Sequence, residues 1–260
     1  MMGALWTAAT GMRAQQTNID VTSNNLANAN TLGYKKARAE FKDLMYRTAR
    51  QAGTPMQSGT QMPVGTQIGM GVNNSATARI FSQGDFQQTE NPFDLVIEGE
   101  GFFQVQRPDG TLAFTRDGSF KTDGNGQLVT SEGLMLVPQI TLPANAANPA
   151  VTPEGTITVQ IGNNLTTVGQ LTLARFINPA GLTAIGHNLY TPTPASGDPI
   201  VGNPNVDGMG TLAQGYIEMS NVKVVEEMIN LIIAQRAYEA NSKSVQTSDE
   251  MLGMANNLRR

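Results

Sequence analysis

The chain of 260 residues contains no cysteine and only one histidine. The missing thiols exclude disulfide bonds and thiolate-ligated metals. A lone histidine leaves no histidine pair for zinc or iron and no choice of base for a Ser-His-acid triad. We interpret this residue, His187 in the sequence GHNLY, as a loop residue. No metal ion and no other cofactor is expected.

Aromatic residues make up 6% of the chain, and the single tryptophan, Trp6, lies in the N-terminal segment. This scarcity argues against an aromatic platform of the kind that sugar-binding proteins use. The net charge is −4, and no block of Lys and Arg is present that could neutralise a row of phosphates. Nucleic acid and anionic membrane surfaces are therefore disfavoured as partners.

Long hydrophobic runs are missing as well. The longest, residues 228–234, is interrupted by Asn230 and falls far below the roughly 20 residues of a membrane span. The N-terminus has no basic region ahead of an apolar stretch, so it is not predicted to be a cleavable secretory signal. We expect no membrane insertion. If the protein leaves the cytoplasm, it needs a dedicated export channel and keeps its N-terminus.

Both ends of the chain lack proline and repeat an apolar residue every seven positions. The repeat consists of Leu5, Met12, Ile19 and Leu26 near the N-terminus and of Val224, Leu231, Tyr238, Val245 and Leu252 near the C-terminus. A seven-residue repeat keeps one narrow stripe on one side of a helix, as in a coiled coil. We therefore predict two long terminal helices packed as a coiled-coil-like pair, and we name these nine residues the seam.

The seam is only one residue wide, because the row beside it is small or polar. That row is expected at Ala8, Gln15 and Thr22 in the first helix and at Met228, Gln235, Ser242 and Asp249 in the second. Ser220 or Asn221 is expected to cap the second helix, and Asn28 and Gly33 to end the first. One stripe offsets little of the conformational entropy that ordering both termini costs. We expect the termini to order fully only when neighbouring copies cover their remaining faces.

The middle of the chain has the sequence pattern of short β-strands. Candidate strands fall within residues 77–81, 95–97, 102–105, 112–115, 127–130, 133–137, 156–161 and 169–176. Turn sequences such as Asp117-Gly118 separate them, which favours antiparallel sheets. The predicted fold class is α+β. Residues 1–33 and 220–260 are assigned to a helical assembly core, residues 34–76 to an extended connector, and residues 77–219 to a β-rich outer domain.

Motifs at both ends resemble those of the flagellar rod and hook axial protein family. The N-terminal motif is Asn24-Asn25-Leu26-Ala27-Asn28, followed by Thr31-x-Gly33-Tyr34-Lys35. The C-terminal motif consists of Ser220-Asn221-Val222 and of Gln235-Arg236-Ala237-Tyr238-Glu239-Ala240-Asn241. The segments DLVIEGEGFFQV and FTRDGSF in the middle are similar too. The resemblance covers most of the chain in the right order.

This resemblance implies a structural role in a rigid helical tube that transmits motor torque to the hook. Export through the flagellar type III apparatus and a place in the periplasm-spanning rod of the basal body are implied. The implied partners are further copies in a homopolymer, proximal rod proteins, hook or hook-junction proteins, the surrounding ring proteins, and the export apparatus with the rod cap. Total length and residues 53–71 favour a distal rod subunit; a proximal rod or hook protein is the alternative.

Residues 53–71 are rich in Gly, Thr, Gln, Pro and Met and show little periodicity, so an extended loop or ribbon is predicted. Glycine lets the backbone turn or approach a neighbour closely, while proline restricts it. We expect this segment to reach across to adjacent subunits and to stiffen the rod. The residues assigned to this rod-stiffening loop are Gly53, Pro55, Gly59, Pro63, Gly65 and Gly69.

A function from another class is a secreted β-rich protein that binds or cleaves glycans. Glu98 and Glu100 flank Gly99, and strand alternation would place both carboxylates on one face, as glycoside hydrolysis requires. Because the same segment matches the family, a solvated strand face is the better interpretation. A calcium loop that began at Asp123 would need glycine at its sixth position, where this chain has Leu128, and glutamate at its twelfth. A hairpin is therefore predicted for residues 123–126. We expect the protein not to be an enzyme.

Overall fold

Residues 2–53, 63–162 and 164–257 are described by the computed structural model, in which the chain divides into two units. The first, which we name the helical unit, combines Met1–Leu26, Ala37–Ala78 and Lys223–Arg260. The second, the β-rich unit, combines Ala27–Lys36 and Arg79–Val222. Each unit draws on distant parts of the sequence, so each depends on long-range contacts.

Two long helices lie near the ends of the chain: α1 spans Met2–Ala27 and α2 spans Val224–Asn257. Both ranges are free of proline. Acidic residues in the first turn of α2, Glu226 and Glu227, suit its dipole. The expected cap at Ser220 or Asn221 is wrong, because the helix begins at Val224 and the Asn221 side chain bonds to other backbone groups.

The two helices pack antiparallel. Near the end of α1, Asn25 Nδ2 donates a hydrogen bond to Glu227 Oε2 at 3.3 Å. Nearer the start of α1, the Asn241 side chain lies so close to Gly11 that a Cβ atom there would come within 3.0 Å of it. Residues near the end of α1 therefore contact the start of α2, and residues nearer the start of α1 contact a later part of α2. The predicted α+β class, with paired terminal helices and an antiparallel β-rich middle, is confirmed.

The inward row of α2 differs from the expected one. Its buried residues are Glu227, Ala234 and Ser248, which follow the seam positions by three residues instead of four. Met228 is 51% exposed, so the expected row of Met228, Gln235, Ser242 and Asp249 is wrong. Two of these three residues, Ala234 and Ser248, are small, which suits the close approach of α1 to α2 at Gly11.

A β-ribbon made of two strand pairs completes the helical unit. Its strands are β1 (Ala37–Asp43), β2 (Tyr46–Arg50), β3 (Thr66–Gly69) and β4 (Val72–Arg79). Strand β1 pairs with β4, and β2 pairs antiparallel with β3. The ribbon contacts α1 at Gly71, where φ is +112° and a Cβ atom would overlap Thr10 Oγ1. The Val72 N–H donates to the same Thr10 oxygen at 3.3 Å.

The β-rich unit consists of short strands joined by tight turns. They are β5 (Phe86–Gln88), β6 (Leu95–Glu98), β7 (Phe102–Gln106), β8 (Leu112–Thr115), β9 (Lys121–Thr122), β10 (Leu128–Val129), β11 (Met135–Val137), β12 (Ala147–Val151), β13 (Thr156–Ile161), β14 (Asn164–Gln170), β15 (Leu173–Arg175), β16 (Thr183–Gly186), β17 (Leu189–Thr191), β18 (Ile200–Gly202), β19 (Thr211–Gln214) and β20 (Tyr216–Glu218). A 3₁₀ turn, Pro179–Gly181, precedes β16.

The largest sheet has the strand order β16-β17-β8-β7-β11-β10-β9, and β15 pairs with both β7 and β18. Strands β12, β13 and β14 form a second sheet, while β6 pairs with β19 and β5 with β20. The main apolar core includes Leu95, Phe103 and Leu136, and a smaller aromatic cluster packs Phe114 edge-on against Phe176 at 4.9 Å. Burial of these large side chains stabilises the unit.

Candidate functional site

The N-terminal motif fixes the end of α1 to the first strand. The side-chain amide of Asn25 donates to the Ala37 carbonyl at 2.8 Å and accepts from the Ala37 N–H at 2.9 Å. Asn25 is 2% exposed, so an unpaired amide here would carry a desolvation cost. The Asn25 side chain therefore pairs with the backbone of its own chain in the way that the peptide group of a neighbouring strand would.

The burial of the other residues of the N-terminal motif varies. Asn28 Oδ1 accepts a hydrogen bond from Thr31 Oγ1 at 3.1 Å in the turn after α1. Leu26 is half-buried, while Asn24 and Ala27 are exposed. Gly33 has a φ of +64°, and a Cβ atom there would come within 2.7 Å of the Asp117 nitrogen. Only glycine fits this position without displacing backbone.

Asn221 holds two other segments of the β-rich unit together. Its Oδ1 accepts from the Lys36 N–H at 2.7 Å, and its Nδ2 donates to the carbonyls of Ile80 at 2.8 Å and Ser82 at 3.1 Å. Ser220 is buried, and its Oγ accepts from the Val222 N–H at 3.3 Å. This part of the C-terminal motif thus satisfies backbone groups that no sheet ladder reaches.

A buried group of charges lies beside these motifs. Lys35 Nζ is 2.6 Å from Glu218 Oε1, and Arg116 Nη1 is 3.7 Å from Glu218 Oε2. The side chains of these three residues are at most 5% exposed. We name Lys35, Arg116 and Glu218 the charge cluster. Sequence reasoning missed it, although Lys35 belongs to the N-terminal motif, because its partners lie 81 and 183 positions further along the chain.

Backbone carbonyls complete the solvation of the two cations. Lys35 Nζ donates to the Ser82 carbonyl at 2.7 Å, and Arg116 donates to the carbonyls of Ile97 at 3.2 Å and Gly99 at 2.6 Å. Burial lowers the pKa of Lys35, a shift that the Glu218 carboxylate opposes, and burial likewise lowers the pKa of Arg116. Within the described residues, Glu218 Oε2 and Arg116 Nε are buried without a hydrogen-bond partner. The cluster anchors chain segments to one another.

The structure places most of the seam on the inner side of the helix pair. Leu5, Met12, Ile19 and Leu26 of α1 and Leu231, Val245 and Leu252 of α2 are half-buried. Val224 and Tyr238 are exposed, at 42% and 40%. The fully buried residues of α1 are instead Ala8, Ala14, Thr22 and Asn25. A role of the seam in assembly stays a prediction.

The first three turns of α2 carry large apolar side chains on their outer side. These residues are Val224, Val225, Met228, Ile229, Ile232 and Ile233, and each is between 42% and 71% exposed. We name them the α2 apolar face. Further along the helix, the outer side becomes polar at exposed Gln235 and at Arg236, which pairs with Glu239 at 3.1 Å, and Ala237 is half-buried. An exposed apolar cluster of this kind marks an interaction surface.

The described part of the rod-stiffening loop belongs to the ribbon. Gly65 lies against the strand that precedes the loop, since a Cβ atom there would come within 2.8 Å of the Arg50 carbonyl. Gly53 has a φ of +82°, Gly69 lies beside the Tyr46 ring, and Pro63 is exposed. Pro55 and Gly59 lie outside the described residues. Stiffening of an assembled rod stays a prediction.

The residues considered for catalysis are engaged in structural contacts. Glu98 Oε2 accepts from Thr211 Oγ1 at 3.3 Å, and Glu100 lies 3.8 Å from Arg175. His187 pairs with Glu132 on the surface. The Asp123 carboxylate accepts backbone N–H bonds within a tight turn between β9 and β10. Among the residues that the structure describes, no group of three or more potential metal ligands converges.

Family comparisons match three separate stretches of the chain. Residues 5–35 match the family described as flagella basal body rod protein, and residues 213–258 match the C-terminal family of flagellar basal body rod FlgEFG proteins. Residues 96–159 match the D1 domain family of the flagellar hook protein FlgE/F/G. In the described part of the chain, neither helix has the length and apolarity of a membrane span.

Two relatives match along nearly all of the chain, and a third matches along half of it. The chain is 54% identical over 264 residues to the flagellar basal-body rod protein FlgG of Borreliella burgdorferi, covering 100% of both chains. It is 47% identical over 253 residues to FlgG of Agrobacterium fabrum, covering 96% of this chain and 97% of that one. The flagellar hook protein FlgE of Helicobacter mustelae is 44% identical over 137 residues, or 52% of this chain and 30% of that one.

Proposed function

Since the chain belongs to the FlgG family of flagellar basal-body rod proteins, it is a structural subunit of the flagellar distal rod, and we propose that copies polymerise through their helical units into a rigid tube that transmits motor torque. The resemblance predicted from the terminal motifs is thereby confirmed. No chemistry is required of such a subunit, and we assign it no catalytic role.

The observation that carries this proposal is the α2 apolar face. Six large side chains remain exposed on three helical turns of one chain. Covering a half-exposed apolar side chain contributes roughly 0.7–1.5 kcal/mol, so the face offers roughly 4–9 kcal/mol per subunit. A contact repeated at every subunit of a polymer makes this free energy cumulative. The half-buried seam provides further contacts between neighbouring helices in the same assembly.

The remaining partners follow from a place in the rod. The tube joins proximal rod proteins at one end and hook or hook-junction proteins at the other, and ring proteins of the basal body surround it. Each subunit passes through the export apparatus and contacts the rod cap before it is added to the rod. The tube spans the periplasm.

The test of polymerisation places a carboxylate on the α2 apolar face. In a flagellated bacterium that lacks its own copy of the gene, Ile229→Asp is expected to abolish swimming and to leave basal bodies without a distal rod, because a desolvated carboxylate costs several kcal/mol at each subunit. Gln246→Asp, at an exposed position further along α2, is the matched control and should swim normally. Normal rods from Ile229→Asp would show that the face is not an assembly surface.

The rod-stiffening loop has a separate role in this proposal, as a brace between neighbouring subunits. Deleting residues 54–62 leaves both strands of the β2–β3 ladder in place. We expect rods that still form but bend more easily, measured as a shorter bending persistence in electron micrographs. The control deletes residues 144 and 145, which are exposed and lie between β11 and β12. Rods as straight as the parent would place the origin of stiffness elsewhere.

A further inference from the structure

A second apolar surface of the helical unit lies between the start of α1, the ribbon and the second half of α2. It is a groove of about 740 Å³ whose lining includes Met2, Trp6, Ile68 and Met70. These four side chains are between 46% and 68% exposed. We name this surface the N-terminal groove. Asn241 and Ser244 of α2 line its opposite wall.

The N-terminal groove cannot be filled by the α2 apolar face of the same chain. Both surfaces include residues of one continuous helix, since the face ends at Ile233 and the groove contains Ser244. At 1.5 Å per residue, Ile229 and Ser244 are separated by about 22 Å along that helix. Two apolar surfaces held this far apart along one helix cannot cover each other within a single chain.

One charged residue beside each surface has the opposite sign to one beside the other surface. Arg47 on β2 lines the groove, and Glu226 lies beside the α2 apolar face, where it pairs with Lys223 at 3.4 Å. All three side chains are exposed. A copy whose α2 face enters the groove could exchange the Lys223 pairing of Glu226 for a contact with Arg47. Complementary charges of this kind fix the register of an apolar contact.

We infer that the α2 apolar face of one copy seats in the N-terminal groove of the next copy. This inference rests on the proposed polymerisation and names its contact. Because the two surfaces differ, the contact is head-to-tail: each copy offers a free face at one end and a free groove at the other. Such heterologous contacts generate open helical polymers instead of closed dimers. The head-to-tail order of subunits in a growing rod thus follows from two different surfaces of the helical unit.

The absence of cysteine from the chain permits a clean crosslinking test. One cysteine replaces a groove residue (Trp6→Cys or Ser244→Cys) and one replaces a face residue (Ile229→Cys or Ile232→Cys), giving four double variants. Disulfides form when the Cα atoms lie roughly 4.4–6.8 Å apart, and four pairings sample the register. Rods are purified from swimming cells, oxidised, and separated on a non-reducing gel.

At least one double variant is expected to shift from monomer to a ladder of dimers, trimers and longer multimers, while each single variant stays monomeric. Dimers from a single variant would indicate a symmetric contact and overturn the inference. Assembled rods whose four double variants all stay monomeric would also overturn it, yet they would leave polymerisation intact. If Trp6→Cys prevents assembly, the two Ser244→Cys pairings decide, because that exposed serine changes least in size.

Discussion

The β-rich unit and the helical unit differ in how far some of their large apolar side chains are buried. In the β-rich unit, Leu95, Phe103 and Leu136 are at most 2% exposed, and sheet pairing satisfies the surrounding backbone. In the helical unit, Ile229 and Trp6 are more than half exposed, and small or polar residues fill the inner row of α2. The first unit thus buries these side chains within one chain, whereas the second leaves large apolar side chains exposed, as the proposed contacts with other copies require.

The largest expected loss of stability comes from changing the charge cluster of the β-rich unit. Glu218→Ala leaves the buried Lys35 and Arg116 without their carboxylate, so the free energy of unfolding should fall by about 3–5 kcal/mol. Urea denaturation followed by circular dichroism measures the loss. Glu100→Ala is the matched control, because Glu100 also faces an arginine but its side chain is 73% exposed; a change within about 1 kcal/mol is expected there. Equal losses in both variants would contradict the anchoring role.

A pair of aliphatic substitutions tests the comparison directly. Leu136→Ala removes a side chain from the core of the β-rich unit and should lower the free energy of unfolding by about 2–5 kcal/mol. Ile229→Ala trims an exposed side chain and should change the stability of the monomer by less than about 0.5 kcal/mol. Denaturant titrations of the two purified monomers give both values. If Ile229→Ala destabilised the monomer as much as Leu136→Ala, the face would belong to a core.

The smallest expected loss from changing a buried side chain is at the motif asparagine of α1. Asn25→Ala removes both hydrogen bonds to the backbone of the half-buried Ala37, and the unpaired groups cost about 1–3 kcal/mol. Faster amide hydrogen exchange of Ala37 and of the last turn of α1 should report this loss, with unchanged exchange in β7 and β8. Thr17→Ala, at a half-buried position of α1 whose hydroxyl bonds within the helix, is the control. Unchanged exchange at Ala37 would show that the amide is not needed there.

Local patterns in the sequence were sufficient for several features of this protein. Seven-residue repeats without proline predicted both terminal helices, and Asp-Gly turns between short apolar runs predicted the antiparallel middle. The motifs around Asn25 and Asn221 predicted the family. These features depend on residues close in sequence, whose helical or strand periodicity is set by backbone geometry.

Only the tertiary structure decided which side chains share an environment. The inner row of α2 depends on how closely α1 approaches at Gly11, and a pattern with two adjacent candidate rows does not specify that approach. The ribbon of β2 and β3 is held by backbone pairing across an aperiodic segment. Lys35 and Glu218 are 183 positions apart, and their charges are tolerated in the interior only because the fold brings them and several carbonyls together.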